Sequence, residues 1–324
     1  MTPSTPRQFT SDATKFLHHP AQLVSYRQGK GHTVVSTHIS MTAACNLRCS
    51  YCAYANRDRG QKIDLAVLKD YIEKLESRGL RAVTLTGGGE PTLHPDFNEF
   101  ADWLCSRRLA VGLITNGTTQ DRISAWEAFT WIRVSVNMFE GWRDRIAAKR
   151  DRMRDDATLG CSMIYTGQSI EELQAVSDLA DNIGASYVRL VPSWLLSCEE
   201  RAQQYVDLER KISLIPDARL TILRNFQRAP RCRACHLSYF RPYLSEIAGG
   251  TVYQCCVSIL TGEDRKLPEA QRICAAGDVL DFLDRKIPTR IVPELDCERC
   301  TFADAVEALD AWTCDYSSAH DLFV

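Results

Sequence analysis

The chain of 324 residues has almost no net charge, because its 39 Lys and Arg residues nearly balance its 41 Asp and Glu residues and leave −2. This balance disfavours a protein that binds nucleic acid through bulk positive charge, although a local basic cluster could still bind an anion. Long apolar runs are missing, and the start MTPSTPRQFTSDATKFLHH lacks the charged-then-apolar pattern of a secretory signal. Fixed-period repeats and low-complexity segments are missing as well. We therefore expect a globular cytoplasmic protein without a membrane span, made of one large domain or of a main domain with an appendage.

Cysteine, by contrast, is abundant, with 14 residues in the chain. This fraction is too small for a disulfide scaffold and too large to be incidental in a long cytosolic protein. Three cysteines lie in CNLRCSYC at residues 45–52, and eight more lie between Cys232 and Cys314. Their short spacings favour metal ligation over disulfides. Cys105, Cys161 and Cys198 fall within or next to predicted helices and strands, and we expect them in the core.

The middle of the chain alternates between strand-like and helix-like patterns. Six strand-like segments lie at residues 33–40, 82–86, 110–115, 131–137, 159–165 and 187–191. Helical patterns separate them, including one near residues 119–129 and a charged one at 141–155. Strict alternation with short loops predicts a parallel sheet with helices outside, and ligand chemistry at the carboxyl ends of the strands.

The pattern changes after about residue 222, where apolar stretches shorten and cysteines become dense. Gly249 and Gly250 separate two strand-like segments as a hairpin turn would. We therefore divide the chain into an N-terminal extension at residues 1–30, a main β/α unit at 31–222 and a smaller C-terminal domain at 223–324.

Cys45, Cys49 and Cys52 have the spacing Cys-x3-Cys-x2-Cys on one loop after a predicted strand. Three ligands are an unusual number, because a structural zinc site closes with four. A cubane iron-sulfur cluster held by three thiolates leaves one iron open for a small chelating molecule. The alternatives are a zinc knuckle with a remote fourth ligand, or three buried cysteines.

The loop CNLRCSYC, with Tyr51 just before its last cysteine, resembles the signature loop of the radical S-adenosylmethionine (radical SAM) superfamily. The segment TGGGEP at residues 86–91 resembles that superfamily's Gly-Gly-Glu motif, and the resemblance covers about residues 33–192. It implies an α/β fold with a partial (β/α)6 TIM-like barrel. It also implies that Cys45, Cys49 and Cys52 ligate a 4Fe-4S cluster whose open iron binds S-adenosylmethionine.

The same resemblance assigns further contacts to the cofactor. Gly88, Gly89 and Glu90 would meet the methionine amine, since glycines permit close approach and a carboxylate suits an ammonium. By itself the glycine run could equally be a turn. Weaker candidates for contacts with S-adenosylmethionine are Tyr51, Asn116, Ser135, Asn137, Ser162 and Val191, several of which could equally be turn or core residues. Many relatives have Ser-x-Asp where this chain has Ser135 and Asn137, so the asparagine is a departure.

The second cysteine set gives Cys-x19-Cys-x41-Cys-x2-Cys through Cys235, Cys255, Cys297 and Cys300. With Gly250 five positions before Cys255, this C-terminal segment resembles the SPASM and twitch auxiliary-cluster domains, and its short tail favours twitch. The resemblance implies a smaller α+β domain with a second, auxiliary 4Fe-4S cluster. Alternative ligands are Cys232 and Cys256, the neighbours of the first two. A zinc ribbon from Cys232, Cys235, Cys297 and Cys300 is disfavoured by its central gap of 61 residues.

The resemblance implies that reductive cleavage of S-adenosylmethionine gives a 5′-deoxyadenosyl radical, which abstracts hydrogen from the substrate. We expect a small-molecule substrate, such as a sugar, aminocyclitol or nucleoside, that is oxidised, epimerised or rearranged. An electron donor such as flavodoxin or ferredoxin is implied as a partner. A cluster of arginines at the predicted domain junction suggests an anionic substrate, or else a solvated linker: Arg224, Arg228, Arg231 and Arg233.

Three alternatives stay open. The chain could be a maturase of a ribosomal peptide, although only 44 residues precede Cys45, fewer than a fused leader-binding domain needs. It could modify a base in nucleic acid, which the net charge of −2 does not favour. It could also be a structural metal-binding protein, which would not cleave S-adenosylmethionine.

Overall fold

The computed structural model describes residues 13–137, 150–215, 220–222, 230–232, 234–257, 271–285, 289–290, 297 and 300–313. Its strands are β1 (Ser36–Ser40), β2 (Ala82–Thr86), β3 (Ala110–Thr115), β4 (Phe129–Ser135), β5 (Thr158–Tyr165), β6 (Tyr187–Pro192), β7 (Leu220–Ile222), β8 (Ala234–Cys235), β9 (Tyr243–Ser245), β10 (Thr251–Tyr253), β11 (Arg272–Ala275) and β12 (Thr289–Arg290). Its α-helices are α1 (Pro20–Arg27), α2 (Leu65–Glu76), α3 (Phe97–Ser106), α4 (Ile170–Asn182), α5 (Cys198–Ile212), α6 (Leu237–Phe240), α7 (Val279–Arg285) and α8 (Ala303–Thr313).

A ten-stranded sheet runs in the order β11-β10-β9-β1-β2-β3-β4-β5-β6-β7. Strands β1 to β7 are neighbours in sequence order and pair in parallel, which places all their carboxyl ends at one edge. No pairing joins β7 to β11 in the described ranges, so the sheet is an open, partial barrel. The predicted α/β partial-barrel fold is confirmed.

Three of the C-terminal strands, β9, β10 and β11, belong to the same sheet, whereas β8 and β12 pair with each other in a separate two-stranded sheet. Strand β9 pairs in parallel with β1, and β10 returns antiparallel beside it. Gly249 and Gly250 connect the two with positive φ angles of 74° and 132°, as the predicted hairpin turn requires. The boundary near residue 222 stays a prediction, since the sheet continues across it.

Local sequence signals account for the helices next to the site. Asp64 precedes α2 in an extended conformation, and Gly79 follows the helix with φ of 101°. Between them, Leu68, Ile72 and Leu75 lie on one face of α2 and are buried in the core. Helix α4 begins with a capping box, in which the Ser169 and Glu172 side chains each accept a hydrogen bond from the other's backbone N–H.

One expectation about the helical layer is wrong, and another lies largely outside the described residues. Residues 119–129 form two short 3-10 turns, Gln120–Arg122 and Trp126–Ala128, instead of a helix. The side chain of Asn98 bridges them, donating to the Arg122 carbonyl and accepting from the Ser124 N–H, so backbone groups there are satisfied without a helix. Most of the charged segment at 141–155 lies outside the described residues.

The cysteines expected in the core differ among themselves. Cys161 on β5 is buried, as predicted, but Cys105 and Cys198 are exposed. Cys105 lies on the outer face of α3, whose inner face is formed by Phe97, Phe100 and Leu104. Cys198 is the first residue of α5 and faces solvent there. No helix within the described ranges is long and apolar enough to cross a lipid bilayer.

Two glycines make room for aromatic rings in the sheet next to the site. A Cβ atom at Gly112 would lie 2.2 Å from the Trp131 ring, and one at Gly160 would lie 2.2 Å from the Tyr187 ring. Both rings therefore lie directly against the glycines of a neighbouring strand. Trp131 is partly buried and Tyr187 is buried, and both rings lie in the sheet next to the site.

Candidate active site

A cavity of about 190 Å³, open to solvent, lies at the carboxyl ends of the parallel strands. Most of the candidate residues named from the sequence line it: Cys45, Cys49, Tyr51, Cys52, Gly89, Glu90, Asn116, Ser135, Asn137 and Ser162. Gly88 and Val191 do not line it. Gly88 lies beside the cavity and donates its N–H to Ser40 Oγ, and Val191 lies on β6 opposite Ile164. Thr86, Ile114, Thr115 and Ile164 line the cavity and were not predicted.

Two arginines hold the cysteine loop in place. Arg57 donates through Nε to the Ala43 carbonyl at 2.6 Å and through Nη1 to the Tyr54 carbonyl at 2.6 Å. Arg59 donates to the carbonyls of Cys45 at 2.5 Å and Leu47 at 3.0 Å. Each guanidinium therefore fixes two separate points of the loop, which keeps the three thiols on the cavity side. Sequence reasoning missed both residues.

Polar groups also approach the sulfur atoms. The Leu47 N–H lies 3.5 Å from Cys45 Sγ, Asn116 Nδ2 lies 3.9 Å from the same sulfur, and Arg57 Nη1 lies 3.5 Å from Cys52 Sγ. Donors of this kind stabilise thiolates and tune the metal that thiolates bind. Three loop thiols that share one cavity, with donors aimed at two of them, fit the donor set of a three-thiolate iron-sulfur cluster.

Glu90 is buried, and its carboxylate is fully engaged by the protein. Oε1 accepts from the hydroxyls of Thr115 at 2.6 Å and Thr92 at 2.8 Å, and Oε2 accepts from the Asn116 N–H at 2.7 Å. Burial raises the pKa of Glu90, and these hydrogen bonds oppose that rise. The carboxylate thus ties the end of β2 to the end of β3, and its contact with the methionine amine stays a prediction.

Removing this carboxylate should destabilise the fold. In Glu90→Ala, the buried Thr115 hydroxyl and Asn116 N–H lose their acceptor, which should lower the free energy of unfolding by about 1–3 kcal/mol. The matched control is Glu99→Ala on α3, which removes an exposed ion pair with Lys69 and should cost less than about 1 kcal/mol. Urea unfolding measures both variants, and equal losses would contradict this account of Glu90.

Asn116 connects the end of β3 to the cysteine loop. Its Nδ2 donates to Asn46 Oδ1 at 3.0 Å, and Asn46 Nδ2 donates in turn to Thr118 Oγ1 at 2.7 Å. The Thr118 N–H donates to Asn116 Oδ1 at 2.9 Å, so the three residues are linked in a ring of hydrogen bonds. Asn46 could have been suspected from the sequence, because it directly follows Cys45.

Asn137, the departure from Ser-x-Asp, makes two hydrogen bonds with the backbone of β5. Its Nδ2 donates to the Ile164 carbonyl at 2.7 Å, and its Oδ1 accepts from the Ile164 N–H at 2.8 Å. An aspartate could accept from the N–H but could not donate to the carbonyl, so the amide suits this position. Ser135 and Ser162 pair with each other in the register of β4 and β5.

The four C-terminal cysteines lie close enough to affect one another's ionisation. Burial raises the pKa of Cys235 to about 12, and negative charge on Cys255 and Cys297 contributes. Burial also raises the pKa of Cys300, with contributions from Cys255, Cys235 and Cys297. The alternate Cys232 is also near Cys297, because the latter contributes to its raised pKa.

No group of three or more His, Cys, Asp and Glu side chains in the described part of the chain is arranged to hold a single metal ion. Thiolates that bind a 4Fe-4S cluster bond to different irons and therefore stand farther apart than the ligands of one ion. Burial raises the pKa of the other alternate, Cys256, to about 11, and the charges of Arg241 and Arg189 oppose this rise. Arg224, Arg228, Arg233 and Cys314 lie outside the described residues, and the Arg231 N–H donates to Glu307.

The Radical SAM superfamily model matches residues 39–178, from β1 through most of α4. The chain contains a radical SAM domain. Such domains take a 4Fe-4S cluster and S-adenosylmethionine as cofactors, so the cofactors predicted for the first cysteine loop are those of the domain.

Curated relatives share this radical SAM domain over part of their length. Mycofactocin maturase MftC of Mycobacterium ulcerans (strain Agy99) is 38% identical over 173 residues, which cover 47% of this chain and 46% of the relative. GTP 3′,8-cyclase of Chlorobaculum tepidum is 34% identical over 102 residues, or 28% of each chain. The matched segment thus spans less than half of these relatives.

Among solved structures, Streptococcus suis SuiB bound to precursor peptide SuiA is similar in fold. The TM-score is 0.58 at 12% identity, and the match covers 87% of this chain and 70% of SuiB. At this identity the likeness concerns the fold alone. It extends well beyond residues 39–178, so the architecture around the radical SAM domain is similar as well.

Proposed function

We propose that this radical SAM enzyme holds its 4Fe-4S cluster through Cys45, Cys49 and Cys52 and acts on a small molecule. The observation that carries the proposal is the shared cavity, in which the three thiols face Gly89, Glu90 and the ends of the parallel strands. When bound, the cluster and S-adenosylmethionine supply a 5′-deoxyadenosyl radical that abstracts hydrogen from an unactivated carbon. The residues around them orient the reactants and exclude water.

The chain's own residues fit these tasks. Arg57 and Arg59 hold the cysteine loop, and Asn116 joins that loop to β3. Ile114 and Ile164 give the cavity apolar walls, which keep water from a reactive intermediate. Ser135 and Ser162 offer hydroxyls at the same wall for the sugar of S-adenosylmethionine.

The C-terminal thiols of Cys235, Cys255, Cys297 and Cys300 would close a second 4Fe-4S cluster, whose chemistry when bound is one-electron transfer. Their mutual proximity supports the set. With such a cluster the reaction would be an oxidation, and epimerisation is the alternative within this class. A flavodoxin or ferredoxin would serve as the electron donor.

Peptide maturation is the second candidate function. It is favoured by the curated relatives named mycofactocin maturase and by the fold shared with SuiB, which has been solved with its precursor peptide. Binding of a peptide across the cavity mouth, in place of a small molecule within it, would support this candidate.

The test is the release of 5′-deoxyadenosine from S-adenosylmethionine. The protein is reconstituted anaerobically with iron and sulfide, reduced with dithionite and analysed by liquid chromatography and mass spectrometry. Release above the level of a protein-free control is expected even without substrate. A reconstituted protein with a full iron content that releases none would contradict the proposal.

A further inference from the structure

Two arginine side chains share the cavity side of the sheet with the residues that line the cavity. Ser135, Ser162 and Arg189 form one register row across β4, β5 and β6, and register partners in a parallel sheet point to the same face. Arg133 lies two positions before Ser135 on β4, so it also shares that face. Since Ser135 and Ser162 line the cavity, Arg133 and Arg189 lie on the same face of the sheet, next to the residues that line it.

Neither Arg133 nor Arg189 has a carboxylate partner within the described part of the chain. The Nε atoms of Arg133 and Arg189 are shielded from solvent and have no hydrogen-bond partner, and no described carboxylate forms an ion pair with either residue. Arg133 lies with its guanidinium 5.7 Å from the centre of the Trp131 ring. Both residues are only partly buried as a whole, and both lie on the face of the sheet that carries the cavity-lining serines.

The positive charges of Arg133 and Arg189 repel each other. Burial and, to a smaller extent, the charge of Arg133 together lower the pKa of Arg189 to about 9. Burial also lowers the pKa of His38 on β1, with contributions from Arg241 and Arg133. The buried acids of the described residues have other partners: Glu90 accepts from the Thr115 hydroxyl, and Glu246 accepts from Ser245 Oγ.

Unpaired buried charge is costly, and proteins retain it mainly where a ligand completes the pair. Arginine forks match the planar oxygens of carboxylates and the oxygens of phosphates. Resting on the function proposed above, we propose that Arg133 and Arg189 bind an anionic group of the substrate, a carboxylate or a phosphate. The substrate is then an acid or a phosphorylated molecule rather than a neutral sugar.

The first experiment titrates simple anions into the reconstituted protein. Inorganic phosphate and acetate are added separately at constant ionic strength, and binding is followed by isothermal titration calorimetry. Saturable binding of at least one anion is expected, weakened about tenfold or more in Arg133→Gln and in Arg189→Gln. The matched control is Arg107→Gln, which removes a surface arginine paired with Glu76 and should leave the affinity unchanged. Absence of saturable binding, or equal binding in all four proteins, would overturn the proposal.

A second arm separates the substrate from the carboxylate of S-adenosylmethionine. Equilibrium dialysis of S-adenosylmethionine should give affinities within about twofold of the wild type for both variants, and a loss parallel to that of phosphate or acetate would assign the arginines to the cofactor instead. Without added anion both variants should melt at or above the wild-type temperature, because a buried unpaired charge has been removed. A lower melting temperature would make the arginines structural and contradict the proposal. Failure of the proposed function itself would appear separately, as a wild type that releases no 5′-deoxyadenosine.

Discussion

Replacing Cys45, Cys49 or Cys52 singly by alanine is expected to abolish the release of 5′-deoxyadenosine. Each thiol lines the same cavity, and a cluster with three protein ligands has none to spare. Loss of an outer partner of a metal site already costs about 10–100-fold in affinity or activity, so loss of a direct ligand should exceed about 100-fold. Product release under dithionite measures the effect.

Cys105→Ala is the matched control for this series. Cys105 is exposed on the outer face of α3, and its replacement removes a thiol without touching the cavity. It should release 5′-deoxyadenosine at the wild-type rate. A Cys49→Ala variant that keeps more than about a tenth of the wild-type rate would contradict the assignment of the loop.

Gly89→Ala should disable the site through sterics alone. A Cβ atom at Gly89 would lie 2.0 Å from the Ala44 carbonyl oxygen, and the other nearest atoms are also backbone atoms of Ala43 and Ala44, which no side-chain movement can displace. The Gly89 N–H donates to the Thr42 carbonyl at 2.9 Å, so this glycine holds the end of β2 against the chain leading to the cysteine loop. We expect affinity for S-adenosylmethionine to fall by more than about tenfold, as measured by equilibrium dialysis.

The control for that variant is Gly277→Ala. A Cβ atom there meets no other atom within 4 Å, and the residue does not have a positive φ angle. Its affinity for S-adenosylmethionine should match the wild type. If Gly89→Ala bound the cofactor as well as Gly277→Ala does, the close contact between β2 and the cysteine loop would be irrelevant to binding.

The strand pattern was predictable because it is local. Residues 82–86 and 110–115 are runs of apolar and β-branched residues with turn signals at their ends, and both coincide with β2 and β3. The segment 119–129 was assigned wrongly, because its apolar residues suit a helix while Asn98, distant in sequence, fixes its backbone as two turns.

The site residues differ in the same way, because those that are neighbours along the chain could be predicted and those that meet only in the fold could not. The cysteine loop and TGGGEP could be found from the sequence, because their residues are neighbours along the chain and they line one cavity. The anchoring role of Thr115 on Glu90 could not, because the two residues are 25 positions apart and meet only across β2 and β3. Arg133 and Arg189 were overlooked for another reason, since a charged residue within an alternating strand pattern suggests a solvent-facing position.

The measurement that tests the central claim most directly is the iron and acid-labile sulfide content of two anaerobically reconstituted proteins, the wild type and the variant with Cys45, Cys49 and Cys52 all replaced by alanine. The claim that these thiols hold one 4Fe-4S cluster, and that the C-terminal cysteines hold another, predicts about eight irons in the wild type and about four in the variant. Equal iron and sulfide in the two proteins would contradict it.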